Sequence, residues 1–577
     1  MQNRAYQEKA HEAIHSGLLA SVNRQLIQMA TGTGKTVVFA QLPEKLKDVL
    51  PGKMLVLAHR EELIDQAIAK LKASNPLLRI DKEMAEHRAD PKEADIIVAS
   101  VATLGRKGTK RIEGYDWSLF DKFVVDEAHH ATASTYGNIF EAAGLFNEGS
   151  NRLLLGVTAT PQRGDGQALA KVFEKITFTY PIRQAIEDGW LVEPRGFKVS
   201  TKTSLDGIKV SNGDYDQVQL ANTVNTPERN AQIAKAWLEH AKGRQTIGFT
   251  VDIQHAKDLA AVFKHYGINA EAIWGDDPQR EEKLKKHRAK EITVLFNAAL
   301  LTEGYDDWQI GCVILAGPTK SPVKFAQMVG RSTRLEDGIG NLIEAKSVYE
   351  GKTLIKDALI ALEKGIYPFK VDCIIIDVVD NSSRNSLVTL PTLLGMSAKL
   401  DLRGKGIVAA VKELEDAQKQ YPHIDFTKLD DISQLQAHIE NVNLFDIKFP
   451  AEVEMNSKLS WYPSPSGGYV MLLPDKDRIE IKQNILDKFD ISATIKGNRY
   501  KGERDTIEAA FAAADDTINK VIPEALKIIR REETWHKQPA TPAQLKLLAK
   551  FFKGKAIPPD LDKGKASKLI SSYLAGK

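Results

Sequence analysis

The chain has 577 residues, 43% of them hydrophobic and 27% charged, with a formal net charge of +3. That length supplies about four domains by the usual length per domain, and the composition excludes a disordered or collagen-like chain. A near-balanced charge gives no argument for nucleic acid, so any basic surface has to be local. The two cysteines, Cys312 and Cys373, sit in separate apolar runs. They make neither a disulfide framework nor a four-ligand zinc site, which fits a reducing cytosol. No apolar run approaches a membrane span, and the polar start MQNRAYQEKAHEAI lacks the apolar core of a secretory signal. A cytoplasmic location is expected.

Up to about residue 190, the runs RQLIQMA, KMLVLAH, ADIIVAS, DKFVVD and RLLLGVTAT read as near-continuous apolar strands between helical patterns. Such strands suit a parallel sheet covered on both faces. RQTIGFT, AEAIW, ITVLFNA, GCVILAG and DCIIIDVV form a second series, with DIQHAKDLAAVFKHYG as a helix ending in glycine. Two successive α/β units are predicted, at residues 1–192 and 193–380. Between Leu335 and Val371 a helical insertion has no functional reading. NSSRNS opens a linker at 381–400. An α+β accessory domain follows over 401–530, with a small β-meander around SWYPSPSGGYVMLLPDKDRIEIKQ. The last segment, 531–577, holds ten Lys/Arg against four Asp/Glu and reads as a basic helical tail.

MATGTGKT, Met29 to Thr36, follows the first strand and precedes a helix, the context that a phosphate-binding loop requires. Gly32 and Gly34, flanked by Thr31 and Thr33, let backbone N–H groups turn toward phosphate oxygens at a helix N-terminus. Lys35 would reach the β- and γ-phosphates and the Thr36 hydroxyl would ligate Mg²⁺. Met29 stands where the strict pattern has its first glycine, so the match is partial, and an ordinary Gly-rich turn is the competing reading. VVDEAHHA, Val124 to Ala131, ends a later strand of the same unit, where parallel sheets gather ligand groups. Asp126 would hold the Mg²⁺ and Glu127 would orient and deprotonate the attacking water. His129 is placed to relay rather than to bind metal, since spaced partner ligands are missing. A plain surface position is an equal reading for His130.

ATGTGKT, DEAH, TAT (Thr158 to Thr160) and QMVGRSTR (Gln327 to Arg334) occur in an order that resembles superfamily 2 helicases and translocases. RAYQEKA, LAHREELIDQ, ASVATL, TATPQRGDG and TEGYDD followed by PTKS agree with it. The likeness covers roughly residues 1–380 and is to the DEAD/DEAH-box branch that includes type III restriction-type motors and DNA-repair helicases. It implies two tandem RecA-like parallel-sheet domains, with ATP and Mg²⁺ as cofactors. Arg4 and Gln7 resemble the adenine-recognition element, although Ala5 replaces a proline often found there. Thr158 and Thr160 resemble the motif coupling hydrolysis to domain closure. Gln327, Arg331 and Arg334 resemble the second domain's contribution, with the arginines as fingers to the γ-phosphate. Gly304 and Asp306 resemble a loop touching the nucleotide, and Thr302 its nucleic-acid contact. Thr250, His59, Arg60, Ser100 and Thr103 match positions lining the strand-tracking surface, though Ser and Thr after strands are also common turn residues.

The implied function is an ATP-dependent DNA helicase or double-strand translocase, in repair or remodelling. An RNA helicase and the motor subunit of a restriction or defence system stay open beside it, as does a nucleic-acid scaffold without hydrolysis. The intact Lys35, Thr36, Asp126, Glu127, Arg331 and Arg334 argue against the scaffold. DNA is the expected partner, RNA the alternative, and no membrane is involved. In the C-terminal third the tail is either a duplex contact or a solvated lysine face. Trp461, Tyr462 and Tyr469 either stack on bases or pack a small β-domain, and packing is the expectation.

Overall fold

The computed structural model describes residues 3–159, 169–211, 214–298, 300–301, 305–352, 369–381, 388–420, 429–435, 451–464, 468–473, 477–484, 488–530, 538–551 and 561–575. The chain divides into two compact units, Met1–Val408 and Ala409–Lys577. In the first unit the strands β1 (Arg24–Met29), β2 (Lys53–Ala58), β3 (Ile80–Glu83), β4 (Ile96–Ser100), β5 (Phe120–Asp126), β6 (Leu153–Thr158) and β7 (Lys175–Tyr180) form one sheet. Its order is β3-β4-β2-β5-β6-β1-β7, and every pairing is parallel. The central strands bury both faces: Ile27, Val56, Val98 and Val124 point into one core cluster, while Leu26, Leu57, Ile97 and Val125 point into the other. Two-sided burial is why these strands read as unbroken apolar runs rather than as alternation.

The second sheet contains β8 (Glu193–Ser204), β11 (Thr246–Thr250), β12 (Ala270–Ile273), β13 (Val294–Ala298), β14 (Cys312–Leu315) and β15 (Asp372–Asn381), with a β9–β10 hairpin (Val210–Ser211, Asp214–Tyr215) outside it. Its order is β12-β13-β11-β14-β15-β8, again all parallel. Two tandem RecA-like sheets are thus present as expected. Cys312 and Cys373 lie fully buried on neighbouring strands, and burial pushes the Cys373 thiol up to about 11. Strands β3, β7 and β8 escaped prediction because they lie at sheet edges and their sequences (IDKE, KITFTY, EPRGFKVSTKTS) lack a continuous apolar run.

The described part of the segment expected as a linker, 388–400, packs on the second sheet. Leu390 and Leu400 are buried, as is Leu402 just beyond it, and a Cβ on Gly196 of β8 would lie 2.7 Å from Leu390. This segment closes the outer flank of the second sheet, because β8 needs an apolar cover that the polar NSSRNS stretch did not foreshadow. In the second unit, strands β16 (Tyr462–Pro463), β17 (Tyr469–Leu472), β18 (Arg478–Gln483), β19 (Phe489–Ile495) and β20 (Asn498–Arg504) form an antiparallel sheet in chain order. Helix Ile507–Val521 packs on it, and Trp461 meets Phe511 edge-on at 5.2 Å in a shared apolar core.

Trp461 and Tyr462 are therefore packing residues. The described helices of the segment expected as a basic tail pack on the second unit's sheet or on each other. Helix Lys563–Ala575 lies against β16 and β17, and its Ser571 bonds the buried Tyr462 hydroxyl. Phe551 of helix Pro542–Phe551 stacks on Tyr573 with ring centroids 4.0 Å apart. The sheet's other face, with Tyr462, Val470 and Leu472, needs this cover. Among the described residues no helix is long and apolar enough to cross a membrane.

Candidate nucleotide site

β1 runs into the loop that the sequence singled out. Met29 is fully buried in the core, so a side chain is accommodated where the strict loop has glycine. Gly32 (φ +86°) and Gly34 (φ +83°) take left-handed backbone, which favours glycine. Gly34 also cannot carry a Cβ, since one would lie 2.6 Å from Gln7 Nε2. Helix Lys35–Ala40 starts at Gly34 without a side-chain cap, leaving its first N–H groups for an anion. Thr33 Oγ1 donates to the Ala30 carbonyl at 2.6 Å and holds the turn. Thr31 Oγ1 is buried with no hydrogen-bond partner among the described residues, and Thr36 is half-buried at the helix start.

β5 delivers the acidic pair. Lys35 Nζ is 2.9 Å from Glu127 Oε1, both side chains being 11% exposed, and Glu127 N–H donates to Asp126 Oδ1 at 3.0 Å. Burial and the neighbouring Glu127 push the Asp126 carboxyl up, against the pull of Lys35. Burial raises Glu127 as well, but Lys35 and His129 more than offset it and hold its carboxyl well below the usual range. Glu127 has φ +50° and ψ +58°, a left-handed backbone that costs a non-glycine residue about 1–3 kcal/mol. Strain of this kind persists where the surroundings fix it, and here it turns the carboxylate back toward Lys35. His129 Nδ1 is 3.4 Å from Glu127 Oε2, and rings continue outward from His129 to His130 (4.1 Å) to His59 (4.5 Å). His130 is thus half-buried, tilted against His129 and edge-on to His59, rather than a plain surface residue.

Arg4 and Gln7 sit at the start of helix Ala5–Leu19. Gln7 Nε2 donates to the Thr33 carbonyl at 3.3 Å, and its Oε1 accepts the Arg4 N–H at 3.0 Å. Three aromatics that sequence reasoning missed complete this corner. Tyr6 OH donates to the same Thr33 carbonyl at 2.7 Å, Tyr180 stacks on Tyr6 at 4.1 Å, and the Arg4 guanidinium lies 4.6 Å from the Trp190 ring. Tyr6 was findable between Arg4 and Gln7. Tyr180 and Trp190 carry no local signal, because only the fold brings them to helix Ala5–Leu19.

The second sheet supplies the facing elements. Gln327 is buried on helix Pro322–Gly330. That helix closely approaches the phosphate loop, since a Cβ on Gly330 would lie 2.6 Å from Thr31 Cβ. Arg331 donates to the Tyr305 carbonyl, while Arg334 pairs with Asp306 and, at 3.0 Å, with Asp337. Asp306 therefore holds an arginine. Glu62 and Arg280 form a further ion pair between the two sheets' helices at 3.0 Å. Thr160, Thr302 and Gly304 lie outside the described residues; Thr158 is buried at the end of β6.

Of the strand-tracking candidates, Ser100 ends β4, His59 and Arg60 follow β2, and Thr250 ends β11. All lie at the carboxyl ends of parallel strands. Thr250 offers no free hydroxyl, since its Oγ1 lies 3.0 Å from the Asp252 carbonyl and 3.1 Å from that of Asn297. Thr103 Oγ1 accepts the Ala85 N–H at 3.2 Å, a loop-holding contact. Among the described residues no group of three or more His, Cys, Asp or Glu could hold a metal.

Comparison with known proteins agrees with this geometry. Residues 1–163 match the family described as type III restriction enzyme, res subunit, and residues 228–336 match the helicase conserved C-terminal domain. Residues 432–577 match the mitochondrial helicase Irc3, C-terminal domain, across both the sheet and the tail helices. The chain is 34% identical to the Saccharomyces cerevisiae protein provisionally named ATP-dependent helicase IRC3, over 58% of this chain and 49% of that protein. With the Schizosaccharomyces pombe protein provisionally named mitochondrial ATP-dependent helicase irc3 it shares 31% identity, over 68% of this chain and 60% of the relative. It is 27% identical to the Escherichia coli type I restriction enzyme EcoAI endonuclease subunit, over 58% of this chain and 44% of that one. The chain thus spans between 44% and 60% of these relatives' lengths. These matches and this site together support a superfamily 2 helicase of the restriction-motor branch.

Proposed function

We propose that the chain is an ATP-driven DNA motor, a helicase or double-strand translocase, working in repair or remodelling. One observation carries the reading: Lys35, Asp126 and Glu127 converge at the carboxyl edge of the first sheet, while helix Pro322–Gly330, which leads to Arg331 and Arg334, packs on Thr31. The two carboxylates share one lysine, so the donor set is short of positive charge and fits a divalent cation. Thr36 and Asp126 would hold Mg²⁺, which when bound neutralises charge on the transferring phosphoryl oxygens. The ATP phosphates would draw Lys35 away from Glu127. That frees the Glu127 carboxylate to take the proton of the attacking water.

Arg331 and Arg334 would leave the Tyr305 carbonyl and Asp306 for the γ-phosphate. Hydrolysis removes that contact, and the two sheets separate. A strand held at the carboxyl edges of both sheets is gripped differently in the two states, so cycling moves it. Restriction-type kinship supports DNA over RNA. The test is steady-state ATP turnover with no polymer, single-stranded, duplex and forked DNA, and RNA, with Glu127→Gln as the blank. Stimulation by DNA alone is expected; stimulation by RNA alone refutes the DNA assignment, and no turnover refutes the motor.

A further inference from the structure

Lys370 ends the insertion between the second sheet's last two strands, and none of the motifs includes it. Its Nζ donates to three backbone carbonyls: Trp308 at 3.0 Å, Ile310 at 2.6 Å and Arg334 at 3.0 Å. An ammonium has three N–H donors, so all are used. Trp308 and Ile310 belong to the loop whose Tyr305 and Asp306 hold Arg331 and Arg334; the third carbonyl is that of Arg334 itself. We infer that Lys370 is a positioning residue that clamps these two loops together and so fixes where Arg331 and Arg334 can reach across the cleft. The inference rests on the motor reading for its effect on turnover, but the clamp itself can be read without turnover.

The chemistry of a lysine here differs from that of a passive filler. Burial pushes the Lys370 ammonium down to about 8. Cys373 and Asp307 favour the charged form and Arg244 and Arg334 oppose it, while Glu336 faces its backbone N–H at 3.4 Å. Below pH 8 all three carbonyls have a donor. Above it the neutral amine keeps two N–H groups, one carbonyl is orphaned, and the loops loosen. The sign of the stability effect is opposite. Between pH 8 and the ordinary lysine value the unfolded chain binds more protons than the folded one, so this group stabilises the fold as pH rises. Deprotonation of Lys370 over that window therefore does not by itself destabilise the fold.

The experiment compares the full chain with Lys370→Met and Lys370→Arg, by amide hydrogen exchange and by ATP turnover with duplex DNA from pH 6.5 to 9.5. In Lys370→Met, exchange is expected to rise in residues 305–310 and 331–335. Its kcat is expected to fall about tenfold with KM for ATP moving less than about twofold, the pattern of an interaction made only in the transition state. Wild-type kcat is expected to decline above about pH 8, and Lys370→Arg, whose guanidinium stays charged, to lack that decline. Unchanged exchange in both loops overturns the clamp, as does a raised KM with kcat retained. If the wild type shows no turnover at all, the motor reading fails, and the exchange data still decide the clamp.

Discussion

The nucleotide edge of the first unit and the sheet of the second unit handle buried polarity in opposite ways. At the nucleotide edge, Lys35, Asp126, Glu127 and Thr33 are enclosed together, and Glu127 is held in a left-handed backbone. In the second unit the buried polar residues are Asp431 and Ser457 among the described residues, against a core of Trp461, Phe511, Ile479, Ile481 and Ile518. Burying charge costs stability, and at this edge two carboxylates are enclosed with one lysine on a left-handed Glu127, a charged cluster that packing alone does not require. Among the described residues of the second unit no such cluster of charges is buried.

That contrast can be broken in order of expected effect. Lys35→Ala is expected to lower ATP turnover by about 10³-fold or more, as removal of a preorganised phosphate contact does; normal turnover would leave the charged cluster without a catalytic purpose. Glu127→Gln is expected to lower kcat by about 10²–10⁴-fold, the usual worth of a general base, with ATP still bound in an equilibrium assay. Gly330→Ala introduces a methyl against Thr31 and is expected to slow turnover about tenfold through overpacking at the closed cleft.

Trp461→Ala is expected to destabilise the second unit by about 3–5 kcal/mol in denaturant melts. Turnover without polymer should survive it, and its collapse would show that the two units are not independent in stability. The smallest effect concerns the lysines. Truncating the tail would uncover Tyr462 and so confuses folding with binding. Neutralising the exposed Lys546, Lys550 and Lys565 leaves that cover in place. If they touch DNA, the salt dependence of binding is expected to flatten by about 0.9 in log–log slope for each phosphate no longer neutralised; an unchanged slope marks a solvated face.

The parallel strands and the Gly-rich turn after β1 were legible because their physics is local. A strand buried on both faces writes an apolar run, and a phosphate turn writes glycines at fixed spacing. The aromatic wall around Arg4 was not legible, since Tyr180 and Trp190 lie far along the chain and reach Tyr6 only through the β1–β7 pairing. Lys370 was hidden for a related reason: a lysine that bonds carbonyls leaves no pattern in its neighbours. The segment after β15 was misread because its polar opening outweighed Leu390, Leu400 and Leu402. In the strand-tracking set, residue type placed the positions at strand ends, but only the folded chain reveals that the Thr250 hydroxyl is already bonded.

One consequence concerns the two thiols of β14 and β15. Both are fully enclosed and both are held in the unreactive protonated form by burial. The native sequence is thus silent toward maleimide dyes. A cysteine pair placed at the exposed Glu61 and Glu281, next to the Glu62–Arg280 ion pair, would take donor and acceptor fluorophores without a cysteine-free background. Single molecules of the otherwise native chain would then report whether the two sheets separate when ATP is added.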